Sequence, residues 1–114
     1  MEPLRILQVE DDKFFQEIVA DIFKDVNASL TQIVSLSAIA PVVQKEKFDV
    51  AIIDGKFFDI PNWIVSFHLP AAYDIIKNTG IKAIYVLSGE KLTYIQSELW
   101  PDRVPDGIFD KPQA

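Results

Sequence analysis

Six residues with the chemistry for a reaction stand where short apolar runs of the chain end. Glu10, Asp11 and Asp12 follow Leu4–Val9, Asp54 follows Phe48–Ile53, Ser88 follows Ile81–Leu87, and Lys111 follows Gly107–Phe109. Carboxylate oxygens are the hard ligands that suit Mg²⁺. An aspartate among them can accept a phosphoryl group, while a hydroxyl and an ammonium can hold the oxygens of that group as charge develops on them. Other chemistries are excluded by what is missing. With no Cys there is no thiol nucleophile and no cysteine zinc site. A single histidine, His68, rules out a multi-histidine metal site and leaves a Ser-His-Asp triad only if His68 is its base. Lying in an irregular segment, His68 reads as a surface or packing residue.

The acids, Ser88 and Lys111 meet only if the apolar runs are neighbouring strands pointing the same way. Hydrophobic periodicity predicts the order β-α-β-α-β-α-β-α-β. Strands are expected at Leu4–Val9, Leu30–Leu36, Phe48–Ile53, Ile81–Leu87 and Gly107–Phe109. Phe48–Ile53 is so continuously apolar that it suits a central strand buried on both faces. Between Phe14 and Val26 the residues Phe14, Phe15, Ile18, Val19, Ile22, Phe23 and Val26 recur at helical steps, with Asp12 placed to cap the helix. Further helices are expected over Ala38–Lys45, Pro70–Asn78 and Lys91–Trp100, with prolines 41 and 70 in first turns and Gly80 past an end. Alternating strands and helices imply an α/β, doubly wound, five-stranded parallel sheet with right-handed crossovers. In such sheets ligands bind beyond the carboxyl ends of the strands, which is where every one of these residues falls.

At 114 residues and 49% hydrophobic composition the chain suits one domain, residues 1–114, with a core that needs no staple. Its net charge of −6 repels a nucleic-acid backbone, so no direct nucleic-acid partner is expected. The run Leu4–Val9 is too short and too soon followed by acids to be a signal peptide or a membrane span. A cytoplasmic location and no membrane partner are the corresponding expectations.

Four pieces of the chain resemble the receiver domain of bacterial two-component response regulators, a CheY-like fold. They are Arg5–Asp12 (RILQVEDD), Phe48–Asp54 (FDVAIID), Ala83–Gly89 (AIYVLSG) and Phe109–Pro112 (FDKP), in that order along nearly the whole chain. The resemblance implies that Glu10 and Asp11 hold Mg²⁺ and that Asp54 is the phosphoacceptor. It matches Ser88 to the switch hydroxyl, Lys111 to the lysine of the family, and the backbone carbonyl of Lys56 to a further metal ligand. It also implies a cis bond at Lys111–Pro112. The function implied is a cytoplasmic phosphorelay receiver that takes a phosphoryl group from a histidine kinase or phosphotransfer protein and switches a protein interface. Such a chain is not an enzyme beyond phosphoryl transfer to itself and its own dephosphorylation.

The chain departs from the family at several positions. The segment 55–69, which carries Phe57, Phe58, Pro61, Trp63 and Phe67, looks expanded and could cover the acceptor. Ile108 stands where many members have an aromatic switch residue, which leaves Tyr85, Tyr94 or the loops to carry any switching. By the resemblance, Lys56 and Glu90 match two positions that tune phosphoryl lifetime in the family, and their opposite charges could pair across the mouth. The sequence ends at Ala114, where the family continues into a fifth helix, so apolar groups of the first, fourth and fifth strands are expected to be bare. Such a patch implies a homodimer, another covering chain or a longer natural protein.

Two other readings stand beside the phosphorylated receiver. One is a degenerate receiver that acts by protein contact alone. The other is an Mg²⁺-dependent phosphohydrolase of the haloacid dehalogenase type, which wants a second aspartate where this chain has Lys56. A flavodoxin-like nucleotide binder is weaker still, because no Gly-rich phosphate loop follows the first strand.

Overall fold

A computed structural model describes residues 2–55 and 69–112. The expected aromatic segment, with Lys56, Trp63 and His68, therefore lies outside the described residues. Five strands form one parallel sheet: β1 (Leu4–Val9), β2 (Ala28–Ile33), β3 (Val50–Asp54), β4 (Ala83–Ser88) and β5 (Gly107–Asp110). Their order across the sheet is β2-β1-β3-β4-β5. The helices are α1 (Lys13–Phe23), α2 (Ile39–Lys45), α3 (Leu69–Lys77) and α4 (Leu92–Leu99), with a short 3₁₀ turn at Leu36–Ala38. Among the described residues no helix follows β5, and none is long and apolar enough to cross a membrane.

Local chemistry explains most of these ends. Asp12 caps α1, its Oδ1 accepting the Phe14 N–H at 2.9 Å. Gly80, at φ 79°, ends the turn after α3 and donates its N–H to the Lys77 carbonyl. Where the expected boundaries move, strand pairing has moved them. β1 pairs residue for residue with β2 from Leu4↔Ala28 to Val9↔Ile33, so β2 begins and ends earlier than its alternation predicts. The chain must therefore already be turning at Val26, and α1 stops at Phe23.

Two aspartates that carry no chemistry extend the ladder at its other end. Asp49 and the backbone of Arg5 exchange two bonds: Arg5 N–H to Asp49 Oδ2 at 2.9 Å and Asp49 N–H to the Arg5 carbonyl at 2.8 Å. Asp106 repeats the pattern on Ile84, at 2.7 Å each way. Each replaces a missing rung of the sheet with a carboxylate, which gives the N–H of Arg5 and that of buried Ile84 an acceptor.

The core lies on one side of the sheet. Leu7, Val9, Ala51, Ile53, Ile84 and Val86 pack there against Ile39, Ala72, Ile76, Ile95 and Leu99 of the helices. Among the described residues the other side is covered by α1 alone, through buried Val19. Burial therefore alternates along β4, with Ile84, Val86 and Ser88 buried and Ala83, Tyr85 and Leu87 half-buried. The same asymmetry corrects the expectation for β3: Ala51 and Ile53 are buried, while Val50 and Ile52 are only partly covered. Past α1 an apolar groove of about 390 Å³ opens between Ile22, Phe23, Ile52, Tyr85, Leu87 and Phe109. Phe109 is 56% exposed. The bare face thus spans β3 to β5. β1 was expected to share it but does not, because α1 lies over it and buries Ile6 and Gln8.

Candidate functional site

The carboxyl ends of β1, β3, β4 and β5 bring the sequence-picked residues together. Glu10 continues β1, its N–H donating to the Ile33 carbonyl at 2.9 Å, and its side chain is 1% exposed. Asp54 ends β3 and is 4% exposed. Carboxylate oxygens of Glu10, Asp11 and Asp54 all lie within 4.8 Å of one another. An octahedral Mg²⁺ holds its ligands about 2.1 Å away, which puts opposite oxygens about 4.2 Å apart. The three donors fit that ion with a small closing movement or one intervening water. They are hard oxygens, as it prefers.

Lys111, the residue after β5, crosses the rim to reach them. Its Nζ lies 2.9 Å from Glu10 Oε1, 3.1 Å from Glu10 Oε2 and 3.2 Å from Asp54 Oδ1. Glu10 is held further by the Asp12 N–H, 3.2 Å from its Oε2. Burial pushes the Glu10 carboxyl above its ordinary range, and the hydrogen bonds and charge from Lys111, with those from Asp54 and Asp12, only partly reverse that. For Lys111 burial pulls downward, but Asp54 and Glu10 together overcome it and hold the ammonium above its ordinary value. The site thus carries more buried negative charge than one ammonium neutralises.

Ser88 closes the rim from β4. It is buried, and its Oγ accepts the Glu90 N–H at 2.9 Å while its carbonyl accepts the Lys111 N–H at 2.9 Å. Gly55, next to Asp54, is pressed against it. A Cβ at position 55 would overlap Ser88 Oγ and Cβ and the Ile95 methyl. Only glycine permits so close an approach.

The cis bond expected at Lys111–Pro112 is not there; the cis bond found among the described residues is Trp100–Pro101. Lys111 reaches both acids without it, because its backbone N–H on Ser88 already fixes where the side chain starts. Ile108 is half-buried and packs on the core. The expected metal ligand at Lys56, and its pairing with Glu90, lie outside the described residues.

Two contributors escaped the sequence reading. The Phe15 ring lies over Lys111 Nζ, 4.4 Å from its centroid, and the Gln16 Nε2–H donates to the Glu10 carbonyl at 2.7 Å. Both belong to the first turns of α1, where helical periodicity marks Phe15 as a packing residue and gives Gln16 no role.

This architecture is that of solved receiver domains. The signal receiver domain of a putative Luxo repressor protein from Vibrio parahaemolyticus superposes with a TM-score of 0.75 at 16% identity, over 100% of this chain and 82% of that one. The signal receiver domain of an HD domain-containing protein from Pseudomonas fluorescens Pf-5 gives 0.79 at 10% identity, over 100% and 79%. The receiver domain of the sensor histidine kinase PA1611 from Pseudomonas aeruginosa PAO1, solved with a magnesium ion coordinated in its active site cleft, gives 0.72 at 14% identity, over 98% and 88%. No protein-family model and no curated protein matches the chain. The chain has the CheY-like receiver fold, with no fifth helix among the described residues.

Proposed function

We propose that the chain is a signalling receiver whose Asp54 accepts a phosphoryl group from a histidine kinase or phosphotransfer protein. The observation that carries this is the bridging of Glu10 and Asp54 by Lys111 beside Asp11, at the strand ends of a receiver fold. Glu10, Asp11 and Asp54, with the Lys56 carbonyl, are the groups that would hold Mg²⁺. Bound there, the ion would supply positive charge to the oxygens of the transferring group. An Asp54 oxygen attacks phosphorus, the bond from phosphorus to the donor breaks, and the donor leaves with that electron pair. Lys111, already on Asp54, then has a phosphoryl oxygen within reach. Ser88 offers its hydroxyl from the other side once its bond with the Glu90 N–H is exchanged. The acyl phosphate forms on the chain itself and is lost to water, so this is a switch and not a turnover enzyme.

The test is incubation with Mg²⁺ and acetyl phosphate, read by intact mass, on the parent and on Asp54→Ala. One phosphoryl group gained by the parent and none by the variant is the expected result. An unmodified parent with its fold intact overturns the reading.

The apolar groove beside Phe109 favours a second reading, an adaptor working by contact, with a homodimer through this face as its simplest form. Self-association by sedimentation that is unaffected by Mg²⁺ and acetyl phosphate and lost in Phe109→Ser supports it. A monomer at high concentration removes the dimer.

A further inference from the structure

Behind Glu10 three glutamines form a relay that the phosphoryl chemistry leaves unexplained. Gln8 points from β1 under α1 and is 1% exposed. Its Oε1 accepts the Gln32 Nε2–H at 2.8 Å, and the same Nε2 donates to the Gln16 main-chain carbonyl at 2.6 Å. Gln16 in turn donates its own Nε2–H to the carbonyl of Glu10 at 2.7 Å. Gln8 Nε2 has no hydrogen-bond partner among the described residues. A buried amide with an unsatisfied donor costs stability that a leucine there would not, so packing gives no reason for it.

We infer that Gln16, braced by Gln32 and Gln8, is a positioning residue for the acidic site, acting through the main chain of Glu10. The inference rests on the reading of Glu10 as a ligand of Mg²⁺. Glu10 sits just past the last β1–β2 pair: its N–H still takes the Ile33 carbonyl, and the Gln16 amide takes its own carbonyl. The Gln16 amide grips its carbonyl while the Asp12 N–H and Lys111 grip its carboxylate. The relay ties β1, β2 and α1 together at the point where a ligand must be held to a fraction of an ångström. Groups that orient a metal ligand typically account for about 10- to 100-fold in metal affinity.

The experiment is a calorimetric Mg²⁺ titration of the parent, Gln16→Leu, Asp54→Ala and Arg103→Ala. Arg103 pairs with Asp74 on α3, away from the site, so its variant reports a loss of stability without a loss of positioning. The expected result is about tenfold weaker Mg²⁺ binding in Gln16→Leu and parent affinity in Arg103→Ala. Gln16→Leu binding Mg²⁺ within twofold of the parent, while Asp54→Ala does not bind, overturns this inference and leaves the proposed function standing. A parent that binds no Mg²⁺ overturns both. If Gln16→Leu does not fold, Gln32→Leu removes the brace one step back; unchanged affinity there overturns the inference equally, and weakened affinity supports it.

Discussion

The ammonium of Lys111 lies 2.9 Å from Glu10 and 3.2 Å from Asp54, joining two buried carboxylates from strands that do not pair with its own. One positive charge thus faces two negative ones, each almost removed from water. Burial holds the Glu10 carboxyl above its ordinary range despite Lys111. A small divalent cation among Glu10, Asp11 and Asp54 would offset the surplus.

Removing the ammonium leaves the acids facing each other without a partner. In the absence of Mg²⁺, Lys111→Met is expected to lose about 3 kcal/mol of unfolding free energy in urea, as when one partner of a buried pair is deleted. Added Mg²⁺ should stabilise the variant more than the parent. A variant as stable as the parent without Mg²⁺ would show that the bridge contributes nothing.

Gly55 admits no side chain. Gly55→Ala forces Ser88 or Ile95 to move, at a cost of about 1–3 kcal/mol by the usual range for overpacking. The displaced Ser88 should also slow acetyl phosphate labelling of Asp54. Unchanged melting and labelling would mean that the neighbours yield freely.

The Phe15 ring face lies on the Lys111 ammonium, 4.4 Å from ring centroid to Nζ. Phe15→Leu keeps apolar bulk but loses the ring face, and about 0.5–2 kcal/mol of cation–π attraction goes with it. A double-mutant cycle with Lys111→Met isolates that attraction. Additive single-variant losses would falsify the contact as an energetic one.

The clearest pH dependence belongs to a pair away from the site. Arg103 donates Nε–H and an Nη2–H to the two oxygens of Asp74, at 2.9 and 2.8 Å, and holds that carboxyl below its ordinary range. A folded value below the unfolded one means that the pair stabilises fully above the ordinary carboxylate pKa of about 4. The contribution then disappears as pH falls through the lowered folded value. Asp74→Asn should therefore be less stable than the parent at neutral pH, with the two curves converging below pH of about 4. The pair is exposed on the Asp74 side, so added salt should shrink the difference. A gap that persists in acid would assign the effect to packing.

Much of this was legible along the chain because strand ends and helix faces leave local marks. Four of the five apolar runs lead into a residue that reaches the rim, and Asp12 caps α1 as its position before an apolar face implies. The boundaries were less legible. α1 stops at Phe23 although Val26 continues its apolar face, because the strand that follows must pair with Leu4.

By itself the sequence determined the α/β alternation, the acids Glu10, Asp11 and Asp54, and their company with Ser88 and Lys111, since periodicity and residue chemistry are local properties. The tertiary structure alone decided that Lys111 bridges Glu10 and Asp54, that Gly55 must lack a side chain, and that Gln16 grips Glu10. It also decided that Asp49 and Asp106 act as ladder rungs and that Phe109 faces an open groove. Those are relations between segments far apart in the chain, set by strand order and register, which no single run of residues encodes.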